Sequence, residues 1–227
     1  MVHPIPPESE LTFTDRRFLM LFIFLLATLV FYPYAEASRF GYFAFRVFAS
    51  AAILLSIYAA KLRRRRLLFF ALALAVPAIL HRIFFPVANP SLLSISNMVL
   101  SFAFDIFVVV VIFRHVFSKD EANSEAIFAA LCIYLLVGFS FSSVYGMVAT
   151  FQPNSFYLDP HTNLHIIADR FDFIYYSFGT MTSLGATGIT PVSAQARAVT
   201  ILEAILGVLY LAVLIARLMV GYTRQRR

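Results

Sequence analysis

The sequence predicts an all-α membrane protein with six transmembrane helices and one short re-entrant helix. Composition is the first observation that supports this fold class. Of the 227 residues, 61% are hydrophobic and only 13% are charged, whereas soluble domains are about 45–50% apolar. The second observation is that the apolar residues form long runs, and a helix needs about 20 such residues to cross a bilayer.

Six runs are long enough to cross and are predicted to be spans: 17–34, 41–60, 67–85, 96–114, 125–150 and 196–219. The first run has no small-residue cleavage pattern after it, so we interpret it as a span and not as a cleavable signal. A seventh run, 172–182, is too short to cross. We therefore expect it to enter and leave the membrane on the same side.

Basic residues give the predicted orientation. They cluster before the first span, in the stretch 61–66, between the fourth and fifth spans and at the C-terminus. With six spans, all these clusters fall on one side, which is the cytoplasmic side by the positive-inside rule. Both termini are thus predicted to be cytoplasmic, and the net charge of +6 is no evidence for nucleic-acid binding. Contact with anionic lipid is compatible with one basic run: Lys61, Arg63, Arg64, Arg65 and Arg66.

The stretch TMTSLGATGITP, residues 180–191, replaces apolar residues with glycine and threonine between two hydrophobic segments. Irregular backbone at membrane depth is tolerated only where it is buried in protein or lines a watery cavity. The sequence YYSFGTMTSLGATGITP, followed by ARAVTILEAILGVLYLAVLIARLMVG, resembles the pore helix, filter and inner helix of the bacterial potassium-channel family. The earlier IYLLVGFSFSSVY resembles its outer helix. The resemblance covers about residues 125–221.

This resemblance implies a potassium-channel-like pore formed by a homotetramer in the bacterial inner membrane. Backbone carbonyls of the filter would replace the hydration shell of potassium or another monovalent cation, with no cofactor. The filter residues are Thr182, Ser183, Leu184, Gly185, Ala186, Thr187 and Gly188. The resemblance divides the chain into an N-terminal tail (1–16), a four-helix bundle (17–120), a pore module (121–221) and a basic tail (222–227).

The outer half of the filter departs from the family pattern. An alignment without gaps places Ser183 at the threonine and Gly185 at the first glycine. Ala186 then replaces the aromatic residue, Thr187 the second glycine and Gly188 the aspartate. Either Thr187 adopts a left-handed conformation, at a cost of roughly 1–2 kcal/mol, or Gly188 takes that role with one residue bulged.

These departures also affect the pore helix. Without a ring in the filter, Tyr175 and Tyr176 lose an aromatic partner, and the carboxylate pair that braces family filters is absent because its positions are Gly179 and Gly188. We therefore expect a wider outer filter with fewer ion sites and weakened potassium selectivity. The alternative is a non-conducting membrane protein, or a carrier in which the re-entrant loop is structural.

Glu203 is the only acidic residue of the last span. Because a carboxylate inside a membrane is costly, we expect it to brace the pore helix through Tyr176 or Thr180, or else to be protonated and purely structural. Gly207 is either a hinge or a site of close helix packing. Three apolar residues spaced by four are predicted to form a dewetting gate near the cytoplasm: Leu211, Ile215 and Met219.

The fourth span has no ladder of arginines, which argues against voltage sensing of the usual kind. The buried ionisable residues Arg46, Arg82 and Asp105 are expected to include an ion pair, such as Arg46 with Asp105. The alternative is a ligand or proton site. No enzyme is predicted, because the chain has no phosphate-binding loop or catalytic cysteine. A metal site in the outer loop has weak support from four residues: Asp159, His161, His165 and Asp169.

Overall fold

The computed structural model describes residues 17–37, 39–59, 65–84, 92–117, 124–163, 168–185 and 188–225. These residues form seven helices and two short strands. In chain order they are α1 (Arg17–Ala37), α2 (Arg39–Ala59), α3 (Arg65–Phe84), α4 (Leu92–Phe117), α5 (Ser124–Phe151), β1 (Phe156–Leu158), α6 (Arg170–Met181), β2 (Ile189–Pro191) and α7 (Ala194–Gln225).

Three helices among the described residues are long and apolar enough to cross a membrane. These segments are Ile95–Arg114 in α4, Glu125–Phe151 in α5 and Ala194–Arg217 in α7. Helices α1 and α2 contain shorter apolar stretches. The mostly helical, membrane-embedded character of the chain is therefore confirmed, whereas the full set of six spans stays a prediction.

The described residues also contain one short pair of strands that was not predicted. Strands β1 and β2 pair antiparallel, with Phe156 opposite Pro191 and Leu158 opposite Ile189. The pairing buries Phe156, Leu158 and Ile189, so it joins the outer loop to the segment that follows the filter. Strands of three residues are too short to show an alternating pattern in sequence.

The bounds of two helices also differ from the prediction. Helix α6 begins at Arg170, two residues before the predicted run, because Asp169 caps it. Helix α7 continues to Gln225, so the first part of the predicted tail 222–227 is helical.

The largest core lies where α1, α4 and α5 pack together. Its fully buried side chains include Phe18, Leu21, Ile112 and Cys132. At one end of this core, Arg17 Nε lies 2.6 Å from Glu125 Oε1, and both side chains are largely buried. The peripheral helices and the outer helix α5 therefore share one packed interior.

Helix α7 packs much less than α5 does. Only 11% of the most apolar stretch of α7 is buried, compared with 56% of the corresponding stretch of α5. A helix that is apolar on all sides needs apolar surroundings on every face. The exposed faces of α7 must therefore contact lipid or other protein chains.

Candidate functional site

Helix α6, which the sequence predicts to be the pore helix, begins with a capping box. The Asp169 carboxylate accepts hydrogen bonds from the backbone N–H of Phe171 (2.7 Å) and of Asp172 (2.9 Å). In return, Asp172 Oδ2 accepts from the Asp169 N–H at 2.8 Å. The box satisfies N–H groups that have no partner within the helix. The carboxylate of Asp169 thus serves as a cap, and the described residues contain no group of three metal-ligating side chains.

The pore helix ends in a Schellman motif. The Leu184 N–H donates to the Gly179 carbonyl at 2.9 Å, and the Ser183 N–H donates to the Thr180 carbonyl at 3.2 Å. Ser183 has a left-handed backbone, with φ of 56°, at the position where such motifs usually have glycine. The residue aligned with the family's filter threonine therefore terminates the helix.

Gly185 and Gly188 are both left-handed, with φ of 74° and 70°. An added Cβ on Gly185 would meet no heavy atom within 4 Å, so its requirement for glycine is conformational. An added Cβ on Gly188 would collide with the Thr162 hydroxyl and lie 2.7 Å from Asn163 Nδ2. Gly188 therefore needs glycine for space as well as for conformation. Ala186 and Thr187 lie outside the described residues.

The carbonyl of Gly188 is bound by the outer loop. It accepts from the Asp159 N–H at 2.9 Å and from Asn163 Nδ2 at 2.9 Å. A carbonyl oxygen has two lone pairs, and both are engaged here. Gly188 thus has the left-handed conformation expected if it takes the role of the second filter glycine. Its carbonyl oxygen, however, is directed to the outer loop.

Tyr176 is held by aromatic packing and by one hydrogen bond. Its ring makes edge contacts with the rings of Tyr145 (4.9 Å between centroids) and Phe156 (5.7 Å). Its hydroxyl lies 2.9 Å from Thr200 Oγ1 of α7. The neighbouring Tyr175 is 40% exposed. The pore helix is thus braced by aromatic packing against α5 and β1.

Glu203 joins three helices inside the pore module. Its side chain is fully buried. The Tyr145 hydroxyl of α5 donates to Oε2, and the Ser177 hydroxyl of α6 lies within hydrogen-bond distance of Oε1, at 2.5 Å. Bracing through Tyr176 or Thr180 was the expected arrangement, but these are not its hydrogen-bond partners. Tyr145 and Ser177 were missed because one sequence does not give the rotation of each helix about its axis.

Gly207 lies where α7 crosses the end of the pore helix. An added Cβ would be 2.7 Å from the Met181 carbonyl oxygen and 3.0 Å from Met181 Cα. Helix α7 continues through this position without interruption. The geometry matches the close-packing alternative, whereas a hinge stays a prediction. The expected gate residues Leu211, Ile215 and Met219 are all exposed in the subunit.

The expected bundle ion pair lies partly outside the described side chains, because those of Arg46 and Arg82 are not among them. Asp105 of α4 lines a cavity of about 40 Å³, which is also lined by Arg170 at the start of the pore helix. This volume has room for on the order of three waters. Of the basic run, Arg65 and Arg66 are exposed at the start of α3, while 61–64 lie outside the described residues.

Residues 130–223 match a protein family described as ion channels. The match begins within α5 and includes α6, the segment after it and most of α7, while helices α1 to α4 precede it. The C-terminal part of the chain is therefore similar to ion channels, in agreement with its resemblance to the pore module of potassium channels. The matched region covers less than half of the chain. No curated protein and no solved structure matches the chain.

Proposed function

We propose that the chain is one subunit of a homotetrameric channel for potassium or other monovalent cations. The observation that carries the proposal is the arrangement of α6. This short helix lies within the matched pore domain and ends in a segment whose Gly185 is left-handed. Carbonyl groups that face one axis require such alternation of backbone handedness, which glycine adopts at little cost.

The incomplete burial of the inner helix supports assembly into a tetramer. A single pore helix and filter segment cannot surround an ion, so four copies must meet around an axis. The exposed apolar residues of α7, including Leu211 and Ile215, supply surface for contacts between subunits. In this assembly, the negative end of each pore-helix dipole faces the cation path.

The hydrogen bonds at the outer filter support the proposal that selectivity for potassium is weak. The Gly188 oxygen is occupied by Asp159 and Asn163, so it is not available to a dehydrated ion. A filter with fewer carbonyl rings replaces less of the hydration shell and distinguishes less sharply between potassium and sodium. The permeant ion is then a monovalent cation with a modest preference for potassium.

Flux from liposomes loaded with potassium, sodium or caesium tests this function. The informative variant is Ala186→Tyr with Thr187→Gly, which restores the family residues at two positions and leaves Gly188 unchanged. We expect the double variant to raise the ratio of potassium to sodium flux, while His161→Gln in the outer loop leaves that ratio as it is. A tetramer without cation flux contradicts conduction. A monomer that moves substrate favours a carrier.

A further inference from the structure

A cavity of about 340 Å³ lies between α4, α5 and the C-terminal half of α7. It reaches Met181 at the end of the pore helix. Its apolar lining includes Phe113, Val137, Leu206, Leu209 and Val213. The volume falls within the range of about 300–1,000 Å³ that is usual for small-molecule sites.

The cavity belongs to one subunit. Leu206, Tyr210, Val213 and Arg217 follow helical spacing, so they share one face of α7. That face is fixed to the same subunit at two points: the Tyr210 hydroxyl donates to the Ala130 carbonyl at 2.6 Å, and the Arg217 guanidinium donates to the Val116 carbonyl. The exposed residues Leu211 and Ile215 lie on a different face. A neighbouring subunit that packs on that face leaves the cavity open, and Leu206, Leu209 and Val213 of its lining are each about half exposed, so the cavity opens to the surroundings of α7.

The lining of the cavity favours an apolar ligand. The hydroxyls of Tyr134 and Tyr210 both donate to backbone carbonyls, of Met181 (3.2 Å) and of Ala130, and the remaining lining is almost entirely aliphatic or aromatic. Apolar cavities of this kind do not hold water stably. The cavity is therefore suited to a hydrocarbon chain.

Arg217 lies at the end of the cavity that is nearest the C-terminus of α7. This end carries the basic residues that are expected at the cytoplasmic surface. Long basic side chains at helix ends extend toward lipid headgroups, where they attract anions. A ligand that suits both ends of the cavity therefore combines an apolar tail with an anionic head.

We propose that the cavity binds the acyl tail of an anionic phospholipid whose phosphate contacts Arg217. The tail occupies the space between α7 and α5 on the C-terminal side of the contact between Gly207 and Met181. It thereby sets the distance between the inner helix and the bundle. Binding of the lipid does not depend on conduction, whereas any effect on gating rests on the proposed function.

Native mass spectrometry of the detergent-purified protein tests the proposal, with phosphatidylglycerol or phosphatidylcholine of equal chain length added. We expect phosphatidylglycerol to be retained preferentially. Val213→Trp fills the cavity and should abolish that preference. Arg217→Gln should weaken retention about fivefold, and Arg217→Lys should restore most of it. The matched control is Val99→Trp, an exposed position on α4 away from the cavity, which should retain lipid as the wild type does.

Equal retention of the two lipids overturns the role of the anionic head. Unchanged retention in a folded Val213→Trp variant overturns the cavity as the site. A cross-link between subunits through a cysteine introduced at Leu209 would show that a second copy fills the space, which also overturns the proposal. Because bound lipid is counted directly, a protein that binds lipid but passes no ions leaves this proposal standing while the proposed function fails.

Discussion

The Ser177 hydroxyl lies 2.5 Å from Glu203 Oε1 and 2.7 Å from the Gly138 carbonyl oxygen. A hydroxyl carries one proton and so donates to one acceptor at a time. If the Glu203 carboxyl group carries a proton, it donates that proton to the Ser177 hydroxyl oxygen. The Ser177 hydroxyl then donates its own proton to the Gly138 carbonyl oxygen. Both close contacts are satisfied in that arrangement, and no net charge is buried in the membrane. One chain of hydrogen bonds then connects the inner, pore and outer helices.

Glu203→Gln should preserve this connection. The amide accepts from Tyr145 and donates to Ser177, so we expect the free energy of unfolding to change by less than about 1 kcal/mol. Glu203→Leu leaves both buried hydroxyls without this partner and should cost about 2–3 kcal/mol. Unfolding in detergent, followed by circular dichroism, measures both values. Equal losses in the two variants would indicate that the site requires an ionised carboxylate.

Replacement of Ser183 should show that this residue terminates the pore helix. Because its backbone is left-handed, with φ of 56°, Ser183→Gly should raise the stability by up to about 1 kcal/mol. Ser183→Val should lower it by a similar amount or more, since β-branched residues tolerate this conformation poorly. The midpoint of thermal unfolding distinguishes the two variants. If valine is as stable as serine, the Schellman motif is wrong.

Asn163→Ala, a substitution in the outer loop, should weaken the support of the filter at Gly188. The variant removes a hydrogen bond to the Gly188 carbonyl, worth about 1 kcal/mol, so the outer filter should be held less firmly and potassium flux into liposomes should fall. His161→Ala is the matched control, because the bond from that residue to Asp159 uses its backbone N–H. The role of Asn163 is refuted if both variants conduct like the wild type, or if both lose flux equally.

Gly207→Ala should distinguish the two roles considered for Gly207, close helix packing and a hinge. The new methyl group would be 2.7 Å from the Met181 carbonyl oxygen, so α7 must move away from the pore helix at a cost of about 1–3 kcal/mol. Gly146→Ala is the control, because its methyl group would meet the flexible Met98 side chain at 3.1 Å. Size-exclusion chromatography should show loss of assembly for Gly207→Ala alone. Intact assembly with altered gating would favour the hinge.

The pore module could be predicted from the sequence because its elements follow one another closely along the chain. The short apolar run and the glycine-bearing stretch after it gave the position of the pore helix to within two residues. Asp169 and Asp172 also form a recognisable cap at its start. Gly185, which the alignment places at the first glycine of the filter, is left-handed.

Contacts between distant segments could not be predicted in the same way. Asn163 and Gly188 are 25 residues apart, and their contact depends on the fold of the outer loop. The partners of Glu203 depend on how α5 and α6 are rotated, and in apolar helices the hydropathy pattern does not reveal this rotation. Arg170 precedes the predicted run 172–182, but it begins α6 and shares a cavity with Asp105.

Potassium flux into liposomes that contain the purified protein tests the central claim most directly, with Gly185→Val measured beside the wild type. The account predicts wild-type flux well above that of protein-free liposomes, exclusion of choline, and loss of flux in a Gly185→Val protein that still assembles. Valine strongly disfavours the left-handed conformation observed at this residue. If the assembled wild type passes no potassium, or if Gly185→Val conducts equally well, conduction through this filter is contradicted.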